Sequence, residues 1–360
     1  MKFSINGGFL RKTGRLLRMR KDDNETTLTF KADQETQSVS VLFFDGIKKV
    51  FISFSAEVVH PGEAMILNKY CPLFACVGDV VTVMRQRSGI TLTDGKSAVS
   101  IPVIKEYEIV APPADTHIGS VTVDLSEIKK LFKRVLFASS DEEVHYDYRA
   151  IFLECGTDYM RAVACDRRIM AMYSISKGAP YTGNFRLPTS GASIVTEVEG
   201  DLATLSFYKN AIGISVSGEI MIDIYLPEYT HSFPDYKEVL RKDWKTFLRG
   251  SKEEFLAMLE GPAISNELSI IMGFKGYEKQ PSRFVLREPF GCCIEHISNL
   301  EWSGEDLKIK VNRMSFKNAV KNAEGQVIVG FNNDKSPLSV SSETGDYVCY
   351  IMPYSPAERR

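Results

Sequence analysis

The sequence predicts an α+β protein of three similar domains, each with two helices backed by an antiparallel sheet. The chain has 360 residues, which is too long for one ordinary hydrophobic core. Amphipathic helical patterns open successive thirds, roughly 120 residues apart, and short β-rich segments lie between them. We therefore place the domains at residues 1–116, 117–243 and 244–360. Periodicity alone also permits a run of three unrelated α+β domains.

The first set of predicted helices opens the three thirds. In the middle third, Asp124 can cap a helix, with Glu127 three residues on as in a capping box. The apolar positions that follow recur at i, i+3, i+4, i+7 and i+8, and they are Ile128, Leu131, Phe132, Val135 and Leu136. Asn6 can cap the helix of the first third, and Ser251 with Glu254 forms a capping box in the last third.

A second set of helices is predicted later in each third, at residues 65–76, 189–198 and 312–323. Pro72 interrupts the first of these. Alternating or β-branched segments predict the strands, with turns such as Asp45-Gly46 and Ser303-Gly304 between them. The predicted strands are residues 39–44, 47–54, 98–104, 150–154, 160–164, 202–208, 211–217, 219–225, 307–311, 326–331 and 347–352.

Composition is typical of a globular protein, with 44% hydrophobic residues, 25% charged residues and a net charge of −2. No apolar run is long enough to cross a bilayer, so we expect no membrane partner. Seven scattered cysteines predict free thiols in a reducing cytoplasm. Five distant histidines and the lack of phosphate-loop, nucleophile-elbow or zinc motifs predict no metal, no cofactor and no enzyme.

Three predicted helices carry basic stripes. These are Arg11, Arg15 and Arg18 on the first, Lys129, Lys130, Lys133 and Arg134 on the second, and Arg313, Lys317 and Lys321 on the third. On one helix alone, a solvated charged face is the commoner explanation. Repetition on equivalent helices favours sequence-independent attraction to the phosphates of double-stranded DNA.

Four segments carry a resemblance to a known family. They are residues 144–154 (VHYDYRAIFLE), 160–171 (MRAVACDRRIMA), 232–240 (SFPDYKEVL) and 350–354 (YIMPY). The second is similar to L-x-x-V-A-T-D-G-H-R-L-A, the third to F-P-D-Y-x-x-V-L and the last to V-x-M-P-M, all found in bacterial DNA sliding clamps. The chain thus resembles the β subunit of DNA polymerase III. Arg167 replaces a Gly, Ile169 replaces an Arg, and residues 355–360 extend past the usual end, so it resembles a divergent clamp.

This resemblance implies the DNA-clamp fold and a head-to-tail homodimer that closes into a ring of six domains. It implies a DNA polymerase processivity factor that encircles duplex DNA, is placed there by a clamp loader and tethers the replicative polymerase. The implied dimer contact joins Val99 and Ile101 of one subunit to Ala263 and Ile264 of the other. Tyr146 aligns with a position at which the family touches DNA, although a packed core tyrosine explains it equally well.

The resemblance also implies a pocket for partner peptides between the second and third domains. Its residues here are Tyr148, Cys165, Arg168, Ile169, Met170, Pro234, Val239, Tyr350, Met352 and Tyr354. An apolar pocket with a methionine and aromatic rim suits a short hydrophobic motif. The alternative is that these residues only pack the domain junction. Two other functions stay open: a clamp-fold DNA- or peptide-binding scaffold that does not close into a ring, and an enzyme using Asp166 beside Arg167 and Arg168.

Overall fold

The computed structural model describes residues 1–17, 26–46, 48–104, 116–140, 148–240, 243–260, 267–272, 283–287, 293–297 and 300–354. Contacts within the chain divide it into two compact units. Unit 1 comprises Met1–Lys130 and Gly178–Tyr229, and unit 2 comprises Leu131–Lys177 and Thr230–Arg360.

Five α-helices lie in the described residues: α1 (Gly7–Leu16), α2 (Leu125–Leu136), α3 (Thr189–Glu197), α4 (Lys252–Leu259) and α5 (Arg313–Asn322). They confirm five of the six predicted helices. The helix predicted over residues 65–76 is wrong, because a strand continues to Leu67 and a 3-10 helix occupies Asn68–Cys76. Pro72 lies inside that 3-10 helix, and its missing N–H cannot support an α-helical hydrogen bond. None of the described helices is long and apolar enough to span a bilayer.

Polar side chains begin three of these helices, and two of these caps, Asn6 and Ser251 with Glu254, were predicted. The Asn6 side chain accepts a hydrogen bond from the backbone N–H of Gly8 at 2.8 Å. Ser251 and Glu254 form both bonds of a capping box at α4. The Asn312 side chain accepts from the N–H of Ser315 at 2.9 Å at α5. Each cap satisfies a backbone donor that has no partner inside its helix.

Twenty-six strands are described. They are β1 (Lys2–Asn6), β2 (Thr27–Asp33), β3 (Ser38–Phe44), β4 (Lys49–Ser55), β5 (Glu57–His60), β6 (Gly62–Leu67), β7 (Val80–Arg85), β8 (Gly89–Thr93), β9 (Ala98–Pro102), β10 (His117–Asp124), β11 (Ala150–Cys155), β12 (Met160–Cys165), β13 (Ile169–Ile175), β14 (Gly183–Pro188), β15 (Leu202–Tyr208), β16 (Ala211–Val216), β17 (Met221–Pro227), β18 (Thr246–Ser251), β19 (Glu267–Met272), β20 (Arg283–Arg287), β21 (Cys293–Ile297), β22 (Glu301–Ser303), β23 (Leu307–Asn312), β24 (Gln326–Phe331), β25 (Leu338–Ser342) and β26 (Tyr347–Ile351). Every predicted strand has a counterpart here.

The pairings are antiparallel. Unit 1 contains one sheet in the order β5-β1-β7-β8-β9 and another in the order β10-β15-β16-β17-β4-β3-β2-β6. In unit 2 the strands run β11-β12-β13-β26-β25-β24-β18-β22 and β21-β20-β19-β23. The β4–β17 pair joins the first predicted third to the middle one, and the β13–β26 pair joins the middle third to the last. Hydrogen bonding of the middle third to both neighbours explains why contacts define two units rather than three.

Alternating apolar residues form the cores. In β3, Val39, Val41 and Phe43 are all fully buried, as a half-buried strand requires. In unit 2, the rings of Phe255, Phe284 and Phe316 pack with centroids 6.2–6.3 Å apart. The described cysteines, at positions 71, 76, 155, 165 and 349, are free thiols, as predicted for them.

A buried lysine anchors α3 in unit 1. The Lys48 side chain is completely buried, and its ammonium donates to the Asp45 carboxylate and, at 3.1 Å, to the Ser190 hydroxyl near the start of α3. It also lies 5.6 Å from the centroid of the Phe43 ring. A charge taken out of water needs such partners, because its desolvation is otherwise uncompensated.

Replacing Lys48 by Met should therefore destabilise unit 1. The Asp45 carboxylate would stay buried without its counter-charge, and we expect a loss of about 3–5 kcal/mol in the free energy of unfolding, measured by urea denaturation. The matched control is Lys31→Met, since Lys31 pairs with Glu63 at the surface. That pair should contribute no more than about 1 kcal/mol. Equal losses in the two variants would contradict a special role for Lys48.

Candidate functional site

An open cavity of about 200 Å³ lies within unit 2. Its lining is Tyr148, Cys165, Asp166, Arg167, Arg168, Ile169, Met170, Pro234, Asp235, Tyr236, Val239, Pro337, Tyr350 and Met352. All the predicted pocket residues except Tyr354 are in this set. The Tyr354 hydroxyl accepts a hydrogen bond from the Asn312 side-chain amide at 3.0 Å, and its part in the pocket stays a prediction.

Strand pairing builds the floor of this pocket. In the β13–β26 ladder, Met170 lies opposite Tyr350 and Ile169 opposite Ile351. Met170 and Tyr350 belong to one buried apolar cluster with Cys165. The Trp244 ring packs 6.2 Å from that of Tyr350, on the same cluster. The floor is therefore rigid and apolar, because its side chains stand on two hydrogen-bonded strands.

The turn between β12 and β13 forms one wall. The Asp166 carboxylate accepts hydrogen bonds from the backbone N–H groups of Arg168 at 2.6 Å and Ile169 at 2.7 Å. Aspartate stabilises turns in this way. The N–H of Met352 donates to the Arg168 carbonyl at 2.8 Å, which ties the segment after β26 to the same turn. The Asp166 carboxylate thus has a structural role, which removes support for an Asp–Arg catalytic pair.

A short 3-10 helix, Tyr236–Val239, forms the opposite wall. The Asp235 side chain caps it by accepting from the N–H of Lys237 at 3.1 Å. The Tyr236 hydroxyl donates to the Glu154 carboxylate at 2.7 Å. Lys237 and Arg161 approach the same carboxylate at 3.2 and 3.3 Å. This network holds the wall against the sheet.

The pKa values follow from this burial and bonding. Burial, reinforced by the hydrogen bond to Glu154, raises the pKa of Tyr236 to about 12. Burial alone would raise the pKa of Glu154, but hydrogen bonds from Tyr236 and Lys237 hold it below its ordinary value. Burial and the nearby Asp166 charge raise the pKa of Cys165 to about 12, so its thiol stays neutral and apolar in the floor.

The rim of the pocket exposes both apolar and charged side chains. Val239 is 39% exposed and Met352 is 44% exposed, and both lie on the rim of one pocket. Arg167, Arg168 and Asp235 are exposed beside them. The cavity is smaller than the ~300–1,000 Å³ of typical small-molecule sites. It suits one or two apolar side chains of a short segment, with polar groups at its edge.

Sequence reasoning missed part of this lining. The overlooked residues are Asp166, Arg167, Asp235, Tyr236 and Pro337. The first four lie inside or beside the family-like motifs, so the motifs themselves were a usable signal. Pro337 precedes β25 and lies outside every motif, so no sequence signal pointed to it.

The basic stripes differ in how free their side chains are. Arg15, Lys133 and Lys321 are exposed and form no ion pair with another described residue. Lys130 is also exposed, whereas Lys129 and Lys317 are half-buried.

Three of the arginines are engaged inside the protein. Arg11 donates to the carbonyls of Val77 and Gly78, both at 2.9 Å. Arg134 donates to an α5 carbonyl and a carboxylate. Arg313 is 2% exposed and donates to the Leu259 carbonyl. Burial therefore corrects the prediction that Arg313 is available to phosphates.

Other predicted residues fall on the edge of a sheet or outside the described residues. Val99 is half-buried and Ile101 is buried in β9, an edge strand of its sheet. Four predicted residues lie outside the described residues, namely Arg18, Tyr146, Ala263 and Ile264.

Comparison with curated proteins finds distant relatives. The chain is 25% identical over 325 residues to the "Beta sliding clamp" of Pseudomonas aeruginosa, covering 82% of this chain and 83% of that protein. It is 21% identical over 271 residues to the "Beta sliding clamp" of Chlamydia muridarum, covering 73% of this chain and 72% of that protein. No protein-family model matches the chain.

Solved structures show the same fold along almost the whole chain. The DNA polymerase III β subunit of Thermotoga maritima aligns with a TM-score of 0.86 at 16% identity, covering 99% of this chain and 100% of that one. The DNA polymerase sliding clamp of Bacillus subtilis aligns with a TM-score of 0.82 at 14% identity, covering 99% of both. The predicted clamp fold, in a divergent sequence, is therefore confirmed.

The pocket wall gives a measurable titration. We expect the ¹³Cζ resonance of Tyr236, assigned by its loss in Tyr236→Phe, to titrate near pH 12. Because the folded pKa lies above the unfolded value of about 10, the neutral hydroxyl stabilises the fold fully below pH 10, and this contribution is lost as the pH rises through 12. Glu154→Gln should lower the pKa of Tyr236, whereas Glu343→Gln, at the surface of the same unit, should not. A Tyr236 pKa that ignores Glu154→Gln would contradict the proposed coupling.

Proposed function

We propose that this chain, a divergent relative of the bacterial β sliding clamps with their fold, is itself a DNA sliding clamp. Two copies joined head to tail would enclose duplex DNA without sequence preference. The ring would tether the replicative polymerase and other partners to this DNA. The protein would act in the cytoplasm. It would act as an accessory subunit with no reaction of its own.

The pocket in unit 2 is the observation that carries this proposal. Its lining comes from segments near residues 148, 165–170, 234–239 and 350–352, which are distant in sequence. A tether must hold its polymerase and still allow partners to exchange. A few apolar side chains in a shallow pocket meet both needs, because the entropic and desolvation costs of binding leave only modest net affinity.

Weak phosphate contacts fit the same function. Lys133 and Lys321 are exposed, and Arg15 is exposed on α1. Such lysines and arginines attract the backbone without reading bases. With Arg134 and Arg313 engaged inside the protein, we expect fewer phosphate contacts than the sequence stripes predict, so retention on DNA would depend on enclosure.

The edge strand β9 supports ring closure. It pairs with β8 on one side, and in the described residues no strand pairs with its other side. An open edge with free N–H and C=O groups is a ready partner for a second chain. In the proposed ring, β9 meets the region of Ala263 and Ile264 in the partner subunit, and two such contacts close the dimer. A closed ring cannot thread onto circular DNA, so a clamp loader is part of this proposal.

Topological retention is the decisive test of a clamp against an open scaffold. We expect weak binding to short linear DNA that falls steeply with salt. Once loaded on a nicked circle, the protein should resist high salt until the circle is cut. The measurement is gel filtration of labelled protein with circular and linearised DNA, alongside native mass, where a dimer of the 40.4 kDa chain is expected.

Ile264→Asp is the control for retention. An unpaired buried charge at the proposed contact should give monomers that slip off circles. Tight, salt-stable binding to linear DNA, or a native monomer that functions, would favour the scaffold.

The peptide pocket has its own test. Val239→Ala with Met352→Ala should weaken binding of a peptide from the cognate polymerase by about 1–3 kcal/mol, because both side chains lie at the rim. Isothermal titration measures the change. Met221→Ala with Val80→Ala removes two apolar side chains of unit 1 that are still more exposed, at 50% and 68%, and should leave the affinity unchanged. Unchanged affinity in the pocket variant would mean that the pocket is misplaced; loss of the dimer would mean that these residues are structural.

A further inference from the structure

A second and larger cavity lies within unit 1. Its volume is about 550 Å³, and it opens between the end of α1, the end of α3 and the β16–β17 turn. Its lining is Lys12, Thr13, Arg15, Leu16, Ile52, Glu197, Val198, Glu199, Gly200, Gly218, Glu219, Ile220 and Ile222. We call it the α1–α3 cleft. Of its lining residues, only Arg15 has a part in the function proposed above, as an exposed side chain that attracts phosphates.

A similar arrangement occurs at the ends of α2 and α5. The buried positions of α1 match those of α2 one for one: Gly7, Leu10, Thr13, Gly14 and Leu17 correspond to Leu125, Ile128, Leu131, Phe132 and Val135. In this register, Leu16 corresponds to Arg134. Four buried positions of α3, Gly191, Ile194, Val195 and Val198, correspond to buried Phe316, Ala319, Val320 and Ala323 of α5, whereas buried Ala192 corresponds to half-buried Lys317. In this register, Glu199 corresponds to Glu324.

Arg134 shows what this arrangement binds. Its guanidinium donates to the Asn322 carbonyl at the end of α5 and to the Glu324 carboxylate. It also lies 4.9 Å from the centroid of the Tyr173 ring. A cation is favoured there because the carbonyl end of a helix is partially negative. In unit 2, the chain's own arginine therefore fills the space.

In unit 1 the acceptors are present and the arginine is missing. Glu199 keeps the carboxylate, and Glu197 and Glu219 add two more beside it. The Thr13 hydroxyl, 1% exposed, is a buried acceptor in the cleft wall, with no hydrogen-bond partner in the described part of the chain. Its counterpart Leu131 needs none. Leu16, in place of an arginine, leaves the cleft open.

We propose that the α1–α3 cleft receives an arginine side chain from a segment of another protein. The apolar surface of Ile52, Ile220 and Ile222 would contact the aliphatic part of that side chain. Thr13 and the glutamates would accept hydrogen bonds from its guanidinium, which presents donors in a fixed fork. The template is Arg134, which binds Glu324, the counterpart of Glu199, beside the end of α5.

Lys12 is the group already near these acceptors. Its ammonium lies 3.1 Å from Glu199 and 3.9 Å from Glu219, and all three side chains are about half exposed or more. Exposed ion pairs of this kind contribute little, because water and salt screen them. A guanidinium can therefore share or take over these carboxylates. Three carboxylates face Lys12 and Arg15, so the rim retains one net negative charge for a cationic ligand.

The test uses the full-length protein with isoleucine methyl groups labelled for NMR. The probes are two blocked tripeptides, acetyl-Leu-Arg-Leu-amide and its citrulline counterpart, which has the same shape without the charge. We expect the arginine peptide to shift the methyl signals of Ile52, Ile220 and Ile222 saturably. The citrulline peptide should bind about tenfold more weakly, because charge-assisted hydrogen bonds are lost.

Leu16→Arg separates this cleft from general surface binding. The new arginine should occupy the cleft as Arg134 does in unit 2 and weaken arginine-peptide binding about tenfold or more. Leu16→Met, which adds no charge, should bind like the original protein, and Glu199→Gln should weaken binding without altering a core residue. Equal binding of the two peptides, or unchanged binding in Leu16→Arg, would overturn the proposal. A truncated protein without residues 355–360 is a further control. If this truncation alone shifts the isoleucine methyl signals with no peptide present, the chain's own tail occupies the cleft and the proposal is overturned.

Discussion

Hydrogen bonding between strands from successive thirds of the chain is the interaction on which the rest of the structure depends. The β4–β17 ladder continues the first third into the middle one, and the β13–β26 ladder continues the middle third into the last. Each ladder satisfies backbone groups that would otherwise be open sheet edges. The second ladder also sets Met170 opposite Tyr350, so the floor of the pocket is a direct consequence of how the repeats are joined. A register slip of one residue would turn these side chains to the opposite face.

Corresponding positions of repeated helices can carry different side chains. The tenth helical residue is Leu16 in α1 and Arg134 in α2. In unit 2, the arginine closes the space beside the end of α5; in unit 1, the leucine leaves a cleft with carboxylates and a buried hydroxyl. The helices at the two sites share a pattern of buried positions, and the difference in chemistry comes from a few side chains. Functional differences between repeats can thus arise without any change in fold.

The pocket was predictable to the extent that its residues belong to recognisable segments. Met170, Pro234 and Met352 were identified from motifs, although no periodicity argument brings them together. Tyr354 was assigned to the pocket because residues 350–354 resemble a family motif, but it is not among the lining residues, and its hydroxyl accepts a hydrogen bond from Asn312. Arg313 was assigned to a basic stripe from its spacing, yet it is the first residue of α5 and turns inward to the Leu259 carbonyl. Helical spacing specifies a face, whereas the burial of a long side chain depends on which backbone acceptors are within its reach.

The sequence by itself determined five of the six predicted helices and most strand positions, because capping residues and apolar periodicity act within a few residues of each other. Asn6 and Ser251 cap the helices they were expected to cap, and Pro72 marks the place where an α-helix could not form. Only the tertiary structure decided which basic side chains bind groups inside the protein and which residues meet in the pocket. It also decided that the space beside the end of α5 is filled by Arg134, whereas the α1–α3 cleft is open. Those outcomes depend on contacts between residues far apart in the chain, whose distances are set by sheet pairing and packing and are not encoded in any local pattern.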